Sequence, residues 1–235
     1  MKPIVALALF LEVCTLIAHA APTPESSARA GPTGVGDAVL LDRFLHSDRP
    51  VLASYRAHRR LEASTMGGKM QASLEAWTYV DSRGRLGFDV IREDGSEVIR
   101  DHVLRRALET EQRNYNERET SQVELTPANY DFRIADGSGD LATIWLLPRR
   151  LSPMLLNGAV TVTRSDGDIV RIDGSLSERP SWWTRHVDIV RRYTRINGVR
   201  VPIEMSSWAD VRVVGDSTFL MTYRYTMING QSTGS

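Results

Sequence analysis

From Val160 to Met227 the chain alternates short apolar-and-arginine runs with Gly, Asn and Asp turns, and no convincing helical period interrupts them. Val160–Arg164, Ile169–Leu176, Arg185–Ile196, Arg200–Val213 and Ser217–Met227 are each strand-length or longer. Between them stand Ser165-Asp166-Gly167-Asp168, Ile196-Asn197-Gly198 and Val214-Gly215-Asp216, which carry tight-turn chemistry. This pattern is an antiparallel meander. A curved meander builds a wall around a cavity, which points to binding and carrying more than to catalysis.

The N-terminus suits export. Met1-Lys2 is a basic start, Ile4 to Ile17 is apolar apart from Glu12, and Ala18-His19-Ala20 is a small-x-small cleavage site, so residues 1–20 read as a signal peptide. The apolar run is shorter than the roughly 20 residues of a spanning helix, and the mature chain is expected not to span a membrane. Cys14 lies within that run and leaves with it, which removes any disulfide, thiol nucleophile or cysteine metal site. Residues 21–36, rich in Pro, Ala, Gly, Ser and Thr, read as a flexible tether. Residues 37–235 are then one domain. A formal charge of +0 and a pI near 7.0 speak against nucleic acid as a partner.

In the N-terminal half, Asp37–His46 is a short amphipathic helix with Asp37 as N-cap. Ala53, Tyr55, Ala57, Arg59 and Leu61 share one face of a strand; Met70, Ala72, Leu74, Ala76 and Thr78 share a face of the next; Leu86, Phe88 and Val90 form a third row. Asp101 caps a second helix that runs to about Tyr115, with Leu104, Leu108 and Glu111 on one side. Strands without strand–helix alternation make the class α+β: a curved antiparallel sheet, open as a half-barrel, with two or three helices on its concave face.

Six segments recur in an order and spacing that resemble a known group. They are Pro127-Ala128-Asn129-Tyr130-Asp131-Phe132-Arg133, Leu146-Leu147-Pro148-Arg149-Arg150, Gly167-Asp168-Ile169-Val170-Arg171-Ile172-Asp173-Gly174, Arg179-Pro180-Ser181-Trp182-Trp183, Val187-Asp188-Ile189-Val190-Arg191-Arg192-Tyr193, and Gly215-Asp216-Ser217-Thr218 with Tyr223-Arg224-Tyr225. Together they resemble exported bacterial proteins of the lipoprotein-sorting group, the LolA/LolB-like superfamily, from Pro127 to Tyr225. The resemblance implies a half-open barrel with helices in its concave face. It further implies an apolar cavity for an acyl chain, of a lipoprotein in transit through the periplasm or of another lipid. Related folds sense envelope stress by binding protein partners, which makes a protein-interaction or sensor module with a filled core the alternative.

A ligand cavity would be lined by Phe219, Met221, Tyr223, Tyr225 and Met227 on the last strand, Val201, Ile203 and Met205 on the one before, and Val187, Ile189 and Tyr193 before that. The same rows would serve as packed core under the helices. Leu151, Met154, Leu155 and Leu156 sit in a proline-bounded loop, where they either close the cavity mouth or pack on the sheet edge. Trp182 and Trp183, adjacent at a strand start, are expected on opposite faces, one in the core and one exposed to a ligand or partner. The candidate ligand set is Met154, Leu155, Leu156, Trp182, Trp183, Met205, Phe219, Met221 and Tyr223.

Catalytic and metal patterns are thin. His46, His58, His102 and His186 lack any ligand spacing, and the Ser-Asp-Gly and Gly-Asp-Ser-Thr stretches lack the strand–turn–helix setting of a nucleophile. The expectation is a monomeric, periplasmic, non-enzymatic protein without cofactor or metal. Arginines on the strands are expected to pair with Glu62, Glu75, Asp89, Asp188 and Glu204 in the same sheet.

Overall fold

The computed structural model describes residues 35–46, 50–81, 83–117, 124–135 and 139–234. The expected signal peptide and residues 21–34 of the tether lie outside these. Helix α1 (Val35–His46) opens the described chain two residues earlier than its sequence signal, so Asp37 falls in its first turn.

One sheet of 11 strands follows. Strands β1 (Tyr55–Thr65), β2 (Met70–Val80) and β3 (Leu86–Gly95) precede a long helix. After it come β4 (Tyr130–Ala135), β5 (Leu141–Pro148), β6 (Leu156–Thr163), β7 (Ile169–Leu176), β8 (Thr184–Ile196), β9 (Val199–Val211), β10 (Gly215–Ile228) and the short β11 (Gln231–Ser232). The order is β3-β2-β1-β10-β9-β8-β7-β6-β5-β4, with β11 beside β10 and all neighbours antiparallel. The meander read from sequence is thus joined to the N-terminal hairpins through β1 and β10. The edges β3 and β4 are not paired with each other, and this leaves the barrel open.

Turn chemistry sets the register. Asn197 and Gly198 have φ of 51° and 78°, the double left-handed turn that the Asn-Gly pair favours, and Ile196 faces Val199 across it. A β-bulge is placed less visibly. Arg56 pairs with Met227 but Ala57 with Tyr225, so Thr226 is an extra residue. Beyond it the alternation reverses: Ile228 is buried and Met227, expected on the inner row, points out at 43% exposure.

The long helix, α2, spans 97–117: a turn at Glu97–Ile99, a π-helical stretch Arg100–Arg105 and α-helix Arg106–Glu117. Asp101 lies inside it and is not its cap; the helix starts after Ser96, whose N–H bonds Gln71 O at 2.8 Å. Hydrogen bonding of the incoming strand end to β2 therefore decides the start, where sequence favoured the acidic residue. Ile99, Val103, Leu104, Ala107, Leu108 and Glu111 are buried against the sheet. Helix α1 reaches the β4 side, where Phe44 meets Phe132 edge-on at 5.7 Å. Both helices and the inward rows of the sheet form one apolar cluster, and a second gathers Tyr55, Ala57, Val80, Val201, Tyr225 and Ile228.

Candidate functional site

The inner row of β1 reads Tyr55, Ala57, Arg59, Leu61, Ala63, Thr65, all buried, so a charged residue is carried into an apolar interior by strand alternation. Its partner is not one of the sheet carboxylates. Glu111, dropped from α2, takes both ends of the guanidinium, at 2.5 Å and 3.0 Å. Arg59 Nη2 also donates to Tyr55 Oη at 2.8 Å, and its Cζ sits 4.5 Å over the Tyr223 ring. The pair is 2% and 3% exposed. On the outer face the sheet-internal pairing holds: Arg60 with Glu62 and Glu75, Arg192 with Glu204.

Burial works against the Arg59 charge, but the Glu111 carboxylate and, after it, the Tyr55 and Tyr223 phenols together outweigh it and hold the group protonated. Burial likewise pushes the Tyr223 phenol up to about 12, with Arg59 opposing, and raises Tyr55 and Tyr225 as well. A folded pKa above the unfolded value means that these neutral phenols contribute fully below about pH 10 and that their contribution is lost as pH rises through the folded value. Stability should fall with rising pH from about 10 to about 12. Phenolate absorbance should show tyrosines ionising together with unfolding; smooth ionisation of all tyrosines near pH 10 in a folded protein would contradict this.

The candidate residues divide by this geometry. Met205, Phe219 and Met221 are 1%, 2% and 1% exposed, and Leu155 and Leu156 are 0%. They are packed core, so Leu155 and Leu156 do not cover a mouth. Leu156 begins β6, and its N–H is held by Tyr130 Oη at 3.1 Å. Met154, Trp183 and Tyr223 are half-buried against the same core. Trp182 is exposed, but the two indoles do not point to opposite faces. They precede β8, in a turn where strand alternation does not act, and stack with centroids 3.5 Å apart.

A groove of about 710 Å³ does exist, on the other side of the sheet. Arg60, Glu62, Asp94, Asp188, Trp208 and Leu220 are in its lining, and Phe219 is the one candidate that borders it. Alternation could have placed these residues outside, but nothing in the period signals that the sheet twists into a groove there. Among the described residues no group of three His, Cys, Asp or Glu is arranged for a metal, and no helix is long and apolar enough to cross a membrane.

No family model and no curated protein matches the chain. Solved structures do. The chain is similar in fold to a LolA superfamily protein. That structure, from Nitrosomonas europaea, is 11% identical, with 82% of this chain and 92% of that one covered and a TM-score of 0.38. A DUF1329 family protein from Desulfovibrio piger is also 11% identical over 83% and 92% of the two chains, with a TM-score of 0.41. MucB, solved in complex with MucA(peri), gives 11% identity over 80% and 93%, with a TM-score of 0.24.

Proposed function

We propose that this is a periplasmic, non-enzymatic binding protein that takes an acyl chain of a lipid or lipoprotein into the half-barrel when α2 lifts. The observation that carries this reading is the roof. The apolar inner rows of β1, β2 and β3 are covered by a helix from outside the sheet, so lifting it leaves every strand pairing intact. Beneath it lie Leu61, Leu74, Phe219 and Met221, with methionine suited to a flexible guest. An acyl chain replacing the helix side chains would gain about 0.8 kcal/mol per methylene buried.

The second reading is a protein-interaction module whose interior stays filled, and the closed state with its buried Arg59–Glu111 pair favours it. One experiment separates the two. In a Cys14→Ser background, Arg105→Cys and Glu93→Cys, whose native side chains meet at 2.5 Å, can be joined by a bismaleimide that pins α2 to β3. The unlinked protein should bind a fluorescent fatty acid at micromolar concentration and the linked one should not. Failure of the unlinked protein to bind would refute the acyl reading and leave the filled module.

A further inference from the structure

The two ends of the sheet are built from different tips. At one end the turns themselves are polar: Asp81, Arg83 and Gly84 between β2 and β3, Arg164 to Asp168 between β6 and β7, Asn197 and Gly198 between β8 and β9. The exposed apolar side chains there stand outside these turns, Val51 ahead of β1 and Leu141 and Met227 at strand ends. At the other, four loops and the first turn of α2 each expose a large apolar side chain. These are Met66 (43% exposed) after β1, Val98 (38%) after β3, Leu151 (76%) after β5, Trp182 (64%) after β7 and Val213 (59%) after β9.

Hydrogen bonds join the four loops into one rim. Met66 N–H donates to Val214 O, Arg212 N–H to Trp183 O, and Ser152 N–H to Ser177 Oγ, at 3.2, 2.8 and 3.0 Å. Behind the tips, Met154, Trp183 and Val214 pack on the core, so the rim is anchored. The same loops carry exposed Lys69, Arg149, Arg150, Arg179 and Arg212 against Glu97 and Glu178. Arg149 also answers Asp131 at 2.7 Å.

We propose that this rim docks on an anionic phospholipid surface. Separate apolar tips, four on loops and one on the first turn of α2, offer a protein partner no continuous patch, whereas a bilayer needs only side chains that reach its interface. An indole there sits well among headgroups, and surrounding basic side chains supply the charge complement. The docked end would carry Trp182 and Leu151 into the interface, with Arg150 and Arg179 at the phosphates. This inference stands apart from the acyl reading, since it concerns the loop tips and not the interior.

The test is co-sedimentation of the full chain, freed of any leader, with phosphatidylethanolamine–phosphatidylglycerol vesicles and with phosphatidylcholine vesicles, together with indole fluorescence. The protein should pellet with the anionic vesicles with a blue shift. The double variant Leu151→Ser/Trp182→Ser should partition at least about tenfold more weakly at unchanged thermal stability, because both side chains lie outside the core. Trp145→Ser, exposed on β5 away from the rim, should behave as wild type. Arg150→Ser/Arg179→Ser should lose the preference for anionic vesicles. A wild-type protein that stays in the supernatant, or a double variant that pellets equally well, overturns the proposal.

Discussion

Replacing Glu111 with alanine should lower the stability of the fold by about 3–5 kcal/mol, because it strands the Arg59 charge inside the barrel. Arg59 is 2% exposed, and Glu111 binds both of its terminal nitrogens. After the change, the Tyr55 hydroxyl and the Tyr223 ring remain, neither of which carries a negative charge. Urea denaturation should show a lower midpoint at similar slope. The double change Arg59→Met/Glu111→Leu should recover most of the loss, since a buried pair replaced by apolar volume is often neutral or better. If the single variant loses less than about 1 kcal/mol, water reaches Arg59 and the roof is not closed as described.

That pair also marks where the sequence stopped being legible. Alternation along β1 placed Arg59 on the inner face, and Glu111 was read onto one side of its helix with Leu104 and Leu108. Pairing the two needs the helix laid across β1, a non-local arrangement with no local sequence signal. The strands themselves were readable because turn residues bracket them: Asn197-Gly198 and Gly167 adopt the positive φ their positions require. The bulge at Thr226 was not, as nothing in Tyr225-Thr226-Met227 distinguishes an extra residue from an ordinary one. The start of α2 was displaced for a similar reason, since the Ser96 bond to Gln71 belongs to the strand pairing.

The candidate residues follow the same logic. Five of the nine are core, since the rows that could line a cavity are the rows that pack under helices, and periodicity cannot tell a wall from its filling. Proline bounds suggested a loop exposure for Leu155 and Leu156 that the Tyr130 hydroxyl and the first β6 pairings override. Sequence marked one indole of the Trp182-Trp183 pair as exposed without telling which, and the structure shows it to be Trp182. What sequence did not show is its company, because the five apolar tips are far apart along the chain and become neighbours only when the strands are ordered.

Gly158→Val should destabilise the protein by about 3 kcal/mol, at the upper end of what overpacking costs, because the added atoms meet backbone and not a movable side chain. Gly158 faces Gly174 across β6 and β7. A Cβ at Gly158 would lie 2.1 Å from Asp173 O and 2.5 Å from Gly174 Cα; one at Gly174 would lie 2.6 Å from Asn157 O. The two glycines thus let the neighbouring strands approach closely. Relief requires β6 to move away from β7, which pulls on Leu156 just before it and on the Ser152–Ser177 bonds that hold the rim. Gly36→Ala, with nothing within 4 Å of its Cβ, is the matched control and should leave the unfolding temperature unchanged. A Gly158→Val protein that unfolds within about 2 °C of wild type would show that the close approach is not required by the fold. If it unfolds early, partition of the folded fraction to anionic vesicles should weaken as well, because Leu151 is positioned by the same strand.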